Sequence, residues 1–222
     1  MAKRKVLISW SSGKDSAWAF YLLKKDPSIE VIGLVTTVNS EFDRIAMHAV
    51  RRDLLIEQAK SAGVPPWIVE LPNPCSNEEY ETIMGGVIER AQKARVSAFA
   101  FGDLFLEDIR QYREKQLAGT GIEPLFPLWM KDTAALAGEV QNAGVKAYVT
   151  SIDPKVLPGS FAGREWDGSF LKDLPQGVDP CGEKGEFHTF VFNGPMFSRS
   201  VPVRRGEVCA RGGFVFADFI LA

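Results

Sequence analysis

The chain has 222 residues, 45% of them hydrophobic and 24% charged, with a formal net charge of −2; this predicts a globular protein of one or two domains with a substantial core. The near balance of charge argues against nucleic acid as a partner, and no stretch approaches the ~20 apolar residues of a membrane span. Cys75, Cys181 and Cys209 are odd in number and widely separated, which favours reduced thiols and a cytoplasmic protein over a disulfide framework.

Short apolar strands alternate with helical patterns, as in a parallel α/β sheet. The predicted strands are Val6–Trp10, Val31–Thr37, Trp67–Leu71, Val96–Phe101, Glu123–Leu128 and Val145–Thr150. The predicted helices are Ala17–Leu23, Phe42–Ala62, Asn77–Ala94, Asp108–Leu117 and Thr133–Ala143. Prolines and glycines break the pattern after about residue 150, and residues 186–222 indicate mainly β structure. We place a domain boundary near Pro127, with residues 1–127 in a parallel α/β domain and residues 128–222 in a smaller α+β domain.

The junction between the first strand and the first helix predicts an anion site. Residues 9–16 read Ser-Trp-Ser-Ser-Gly-Lys-Asp-Ser, and we call them the phosphate loop. Unpaired N–H groups and the dipole at a helix N-terminus attract negative charge. Lys14 adds a positive charge, and Ser11, Ser12 and Ser16 add hydroxyl donors. A nucleotide is therefore the first ligand to consider.

This loop does not fit the commonest phosphate-binding patterns. A Walker loop needs Gly at the position of Ile8 and a hydroxyl at the position of Asp15. A dinucleotide fingerprint needs three glycines, and only Gly13 is present.

Other polar residues lie at the predicted carboxyl edge of the same sheet. Asp103 follows a strand and is equally suited to hold magnesium or to cap the next helix. Thr36 and Thr37 end the second strand and suit contacts to adenine or ribose. Arg110 and Arg113 lie on the following helix, where one of them could face the phosphates, although a solvated helix face is the commoner position for such residues.

A second polar cluster, residues 179–189, reads Asp-Pro-Cys-Gly-Glu-Lys-Gly-Glu-Phe-His-Thr, and we call it the second motif. Glu183 and Glu186 suit magnesium binding or deprotonation of an amine nucleophile. Cys181 is expected to be a small, partly buried thiol. His188 would contact a substrate if this turn forms an active site, whereas His48 is expected to be half-buried in the middle of a helix.

Taken together, these segments resemble the diphthine–ammonia ligase family, a branch of the PP-loop ATP pyrophosphatases. The resemblance rests on Ser11–Ser16 and the second motif, with Phe101-Gly102-Asp103, Arg110 and Pro127-Leu128-Trp129 between them. It covers nearly the whole chain and implies an N-terminal Rossmann-like domain of the HUP/PP-loop type with a smaller C-terminal domain. It also implies that ATP activates a carboxylate as an acyl-adenylate, and that ammonia then displaces AMP to form an amide.

The resemblance assigns roles to particular residues. Those implied to bind ATP are Ser9, Ser11, Ser12, Gly13, Lys14, Asp15, Ser16, Thr36 and Thr37. Those implied to be catalytic are Lys14, Asp103, Glu183 and Glu186, with Asp15 and Asp103 as Mg²⁺ ligands. Those implied to bind the acceptor are Arg110, Cys181 and His188. The acceptor would be diphthine on elongation factor 2.

Two positions depart from the family pattern. Ser12 replaces the usual Gly, at a cost of ~1 kcal/mol or more if that position has a positive φ. The family's Glu-Tyr-Glu-Thr reads Glu186-Phe187-His188-Thr189 here, so a small-molecule carboxylate is an alternative acceptor. A nucleotide-binding regulator and an RNA-modifying pyrophosphatase are alternative functions, and the sequence leaves a homodimer open.

Overall fold

A computed structural model describes residues 3–45 and 48–222 of the chain. Its first half contains β1 (Arg4–Ser9), α1 (Lys14–Lys25), β2 (Ile29–Asn39), β3 (Arg44–Ile45), α2 (Arg52–Ala62), β4 (Pro66–Leu71), α3 (Asn77–Lys93), β5 (Ala98–Ala100), α4 (Glu107–Leu117) and β6 (Glu123–Leu125). Its second half contains α5 (Thr133–Asn142), β7 (Lys146–Ile152), a 3₁₀ turn (Gly159–Phe161), α6 (Gly168–Asp173), β8 (Phe187–Asn193), β9 (Val203–Arg211) and β10 (Phe214–Leu221).

The strands form two sheets in the described part of the chain. The first has the order β3-β2-β1-β5-β6, with β4 also paired to β2, and all its pairings are parallel except that of β3. The second has the order β8-β7-β10-β9 and is antiparallel. The predicted α/β class, with a mainly parallel first sheet, is therefore confirmed.

The central strand β1 is buried on both of its faces. Val6 and Ile8 belong to one apolar core and Leu7 to the other, because successive side chains of a strand point to opposite faces. The core that contains Val6 and Ile8 also contains Phe190 and Phe219 of the second sheet. The second sheet therefore packs against the first on this side, next to the loop that follows β1.

The predicted helix Phe42–Ala62 is wrong in its first half. The helix begins only at Arg52, and Arg44–Ile45 pairs instead with the end of β2. The guanidinium of Arg44 donates to the Ala49 carbonyl and to the Asp218 carboxylate of β10, both within 2.8 Å. These contacts favour a turn over a helix. Positions 46 and 47, which the predicted helix included, lie outside the described residues.

The predicted strand 145–150 belongs to the second sheet and not to the parallel one. β7 pairs with β8 and β10 in antiparallel register. Strands before residue 127 therefore belong to the first sheet, and strands after it belong to the second. This division supports the domain boundary that we propose near Pro127.

Candidate active site

The phosphate loop connects β1 to the first turn of α1. Ser12 has a φ of 68° and is fully buried, a conformation that costs a non-glycine residue ~1–2 kcal/mol. Its carbonyl accepts hydrogen bonds from the Val191 amide at 3.0 Å and from the Gln58 side chain at 3.1 Å. Tertiary contacts from α2 and β8 therefore hold the strained residue in place.

Hydroxyl groups line the inside of this loop. The hydroxyls of Ser11 and Ser16 lie 3.1 Å apart, and Ser16 also donates to the Gly13 carbonyl at 3.0 Å. Gly13 precedes the helix without a side-chain cap, so the N-terminus of α1 keeps its capacity for an anion. A Cβ on Gly13 would lie 3.2 Å from the Thr189 carbonyl oxygen, which favours glycine here.

Lys14 joins the phosphate loop to the second motif. Its ammonium donates to Asp15 Oδ2 at 2.8 Å and to the Cys181 carbonyl, and its backbone N–H donates to Thr189 Oγ1 at 3.1 Å. Burial alone would lower the pKa of Lys14, but its acidic neighbours, chiefly Asp15 and also Cys181 and Glu183, together outweigh burial and the pKa is raised. The side chain is therefore a buried cation at neutral pH.

Three of the predicted acidic site residues lie near one another. Glu183 Oε1 accepts the Leu104 N–H at 2.7 Å, beside Asp103. Burial, together with the nearby carboxylates of Asp15 and Asp103, raises the pKa of Glu183 to about 7. Glycine at position 102 lets the chain that precedes Asp103 come close to the backbone of Asp15, because a Cβ there would lie 2.9 Å from the carbonyl carbon of Asp15.

These acids do not form a closed metal cage. Among the described residues, no group of three His, Cys, Asp or Glu side chains could hold a metal ion. A Mg²⁺ site needs fewer protein ligands, since the ion is usually bound by one or two carboxylates together with phosphate oxygens and water. Asp103 Oδ2 is buried and has no hydrogen-bond partner among the described residues, so the carboxylates present fit an open Mg²⁺ site of this kind.

Glu186 lies within its own turn. Its two carboxylate oxygens accept the backbone N–H groups of Asp179 at 3.1 Å and Lys184 at 2.9 Å, and the residue is buried. Asp179 in turn accepts the N–H of Glu183 at 2.9 Å. Through these contacts Glu186 stabilises the turn that carries Glu183. The catalytic role that the sequence suggested for Glu186 stays a prediction.

Cys181 contacts the site through its backbone. Its carbonyl accepts from Lys14, while its buried thiol lies 3.4 Å from the Thr133 carbonyl. Burial raises the pKa of the thiol to about 12. The thiol is therefore protonated at neutral pH.

A cavity of about 700 Å³ opens beside the phosphate loop. Of the predicted site residues, its wall includes Ser9, Ser11, Thr37 and His188. The hydroxyl of Thr36 instead donates to the Trp10 carbonyl at 2.8 Å, so it links β2 to β1.

The far wall of the cavity comes from α3, for which the sequence predicted no function, and from α4, which carries the two arginines considered above. It includes Tyr80, Met84 and Ile88 of α3 and Tyr112 and Arg113 of α4. The spacing of four residues along α3 places its three side chains on one face, and this is the signal that was available in the sequence.

Arg110 is held elsewhere than Arg113. It pairs with Glu114 at 2.8 Å and lies over the rings of Phe126 and Trp129 at 5.0 and 4.7 Å. It is not among the residues that line the cavity in the described part of the chain.

The chain's two histidines meet at the cavity wall. The rings of His48 and His188 are 4.4 Å apart and inclined at 40°. Burial and the Lys14 cation lower the pKa of His188 to about 4, so its imidazole is neutral at physiological pH. Its Nε2 atom is buried with no partner among the described residues. His48 lies in the turn before α2, so the prediction that it lies in the middle of a helix is wrong.

The chain is similar to proteins named diphthine--ammonia ligase. It is 26% identical to the one from Danio rerio over 153 residues, which are 65% of this chain and 59% of that protein. It is 26% identical to the human one over 149 residues (64% and 55%) and to that of Saccharomyces cerevisiae over 223 residues (84% and 32%). The chain thus spans about half the length of the animal relatives that it matches.

A U34-tRNA thiolase from Methanococcus maripaludis with a [4Fe-4S] cluster is a structural neighbour. Its TM-score is 0.39 at 18% identity, over 64% of this chain and 58% of that one. Within residues 3–45 and 48–222, no helix is both long and apolar enough to cross a membrane.

Family models match both halves of the chain. The model described as diphthamide synthase N-terminal domain matches residues 4–124, and the model described as diphthamide synthase C-terminal domain matches residues 132–216. The chain therefore belongs to the diphthamide synthase family.

Proposed function

We propose that the protein is an ATP-dependent, AMP-forming amide ligase that adenylates a carboxylate and transfers ammonia to it. The observation that carries this proposal is the contact between the two motifs. The ammonium of Lys14 lies between Asp15 of the phosphate loop and the Cys181 carbonyl of the second motif. A site that only binds a nucleotide has no need of the acidic group of Glu183 beside it.

The phosphates of ATP would lie on the phosphate loop, with the nucleoside in the adjoining cavity. A lysine ammonium has three N–H donors, and Asp15 and Cys181 use two of those of Lys14. The third is left for a phosphate oxygen. Together with the N-terminus of α1, it would stabilise negative charge that develops on the leaving pyrophosphate.

The reaction has two steps. An acceptor carboxylate oxygen attacks the α-phosphorus, forming an O–P bond as the bond to pyrophosphate breaks. Ammonia then attacks the acyl carbon, forming a C–N bond as the bond to AMP breaks, and loses a proton. Glu183, with a pKa of about 7, is suited to accept that proton. Mg²⁺ held by Asp15 or Asp103 would neutralise charge on the phosphates.

The acceptor is diphthine on elongation factor 2 or a small-molecule carboxylate. The names of the relatives support diphthine. The imidazole of His188 at the cavity wall is neutral, and its Nε2 atom has no hydrogen-bond partner among the described residues. Because it replaces a carboxylate of the family pattern, small-molecule carboxylates are also tested.

The test measures AMP and pyrophosphate formed from ATP and ammonium chloride. One arm uses elongation factor 2 that carries diphthine, and another uses a panel of small carboxylates. Lys14→Ala should lower the rate at least about 100-fold, the cost of losing one preorganised donor. Lys25→Ala, at the exposed far end of the same helix, is the control and should not change it. Full activity of Lys14→Ala would contradict the mechanism, and ATP binding without turnover on any acceptor would indicate a regulator.

A further inference from the structure

Arg113 lines the cavity and forms a long ion pair with Asp103. The distance between Arg113 Nε and Asp103 Oδ2 is 3.6 Å. Both atoms are buried, and neither has a hydrogen-bond partner among the described residues. A guanidinium has five N–H donors suited to bidentate binding of an anion. This pair therefore leaves donors available to a ligand in the cavity.

The surroundings of Arg113 favour a singly charged anion with an apolar body. Its guanidinium lies 5.1 Å from the centre of the Phe101 ring and 5.9 Å from that of Tyr112, and Tyr80 and Met84 line the same cavity. The cations Arg113 and Lys115 balance the acids Glu81 and Asp103 at this wall. One carboxylate therefore adds a single negative charge, whereas a polyphosphate without Mg²⁺ would add several.

The position of Arg113 relates this ligand to the phosphate loop. Asp103 follows Gly102, which approaches the backbone of Asp15 and Ser16 so closely that a Cβ would lie 2.9 Å from both. An anion held by Arg113 beside Asp103 is therefore next to the start of α1, where the proposed function puts the phosphates.

We propose that Arg113 binds the acceptor carboxylate, and that the aromatic wall formed by Phe101, Tyr80 and Tyr112 holds an apolar or aromatic group attached to it. The nucleoside would occupy the part of the same cavity lined by Ser9 and Thr37. The proposal rests on the proposed function, since the carboxylate is the group to be adenylated. It assigns an acceptor-binding role to Arg113 in place of Arg110, the arginine implied by the family resemblance.

The experiment measures binding by calorimetry in the absence of ATP, with three probes. 4-Phenylbutyrate has both the charge and the apolar body, 4-phenylbutyramide lacks the charge, and acetate lacks the body. We expect wild-type protein to bind 4-phenylbutyrate at least about tenfold more tightly than either of the others, because a hydrogen bond to a charged group contributes this much. Equal binding of the acid and the amide, or no binding of the acid, would overturn the proposal without the use of any variant.

Variants then identify the arginine. Arg113→Met should weaken 4-phenylbutyrate binding at least about tenfold and leave ATP binding, measured separately, unchanged. The control is Arg164→Met, because Arg164 also lies over a phenylalanine ring and pairs with an acid, Asp173, at 2.8 Å; it should change neither. If Arg113→Met weakens ATP binding instead, Arg113 is a phosphate ligand and the proposal fails. Loss of ATP binding in Lys14→Ala tests the proposed function independently.

Discussion

The buried side chain of Gln58 connects the phosphate loop to the second sheet, and its removal should destabilise the protein. Its amide nitrogen donates to the carbonyls of Ser12 at 3.1 Å and Val191 at 2.6 Å. Its amide oxygen accepts the indole N–H of Trp10 at 3.1 Å. The residue is completely buried, so water cannot replace these partners.

The magnitude follows from the groups that Gln58→Leu would leave unpaired. The Ser12 carbonyl keeps a second donor, the Val191 N–H. The Trp10 indole N–H and the Val191 carbonyl lose the bonds that Gln58 makes, and each buried, unpaired group costs ~1–3 kcal/mol. Leucine keeps most of the side-chain volume, so no large cavity adds to this cost, and we expect the free energy of unfolding to fall by about 2–6 kcal/mol.

The assay is equilibrium unfolding in urea, with nucleotide affinity measured on the same samples. The matched control is Gln92→Leu, because Gln92 donates to the Thr120 carbonyl at 2.8 Å on the exposed face of α3. That change should cost less than about 0.5 kcal/mol. ATP affinity should fall in Gln58→Leu alone, because Ser12 loses one of the contacts that hold its conformation. A loss of stability no larger than in the control would refute the role of Gln58.

Three further predictions concern backbone strain, close approach and charge. Ser12→Gly should raise the free energy of unfolding by up to about 1 kcal/mol, because glycine adopts a positive φ without strain; a lower melting temperature would contradict this. Gly102→Ala should cost about 1–3 kcal/mol, whereas Gly138→Ala, with no atom within 4 Å of the new Cβ, should be neutral or stabilising by urea unfolding; equal effects would disprove the close approach. Burial alone would raise the pKa of Asp218, but hydrogen bonds from Arg51 and Arg44 hold it at about 2. The ionised form is therefore favoured by folding, and its contribution to stability is lost as the pH falls from about 4 towards 2. Asp218→Asn should remove that part of the pH dependence, and an unchanged acid limb in unfolding curves would count against the ion pair.

Local patterns predicted the first motif well because they act within a few residues. The strand, the polar loop and the helix around Gly13 and Lys14 follow from apolar spacing and from the helix start. The conformation of Ser12 depends instead on Gln58 and Val191, which are distant in sequence. Local sequence patterns cannot predict contacts between residues so far apart. The turn before α2 was missed for the same reason, because it is held by a contact between Arg44 and Asp218 of the last strand.

The sequence could not show which of two similar neighbouring residues lies at the candidate site. Arg110 and Arg113 lie one turn apart on α4, so helical spacing places both on the same side. Packing decides between them, because Phe126 and Trp129 hold Arg110 while Arg113 reaches the cavity. Glu183 and Glu186 are likewise three residues apart. The backbone of the turn places Glu183 beside Asp103 and directs Glu186 to the N–H groups of the turn itself.

The decisive measurement is a crystal structure with ATP and Mg²⁺ bound. We expect density for the phosphates on residues 11–16, with one oxygen within hydrogen-bond distance of Lys14 Nζ, and density for the nucleoside in the cavity lined by Ser9 and Thr37. Phosphate density away from residues 11–16 would show that the phosphate loop does not bind ATP.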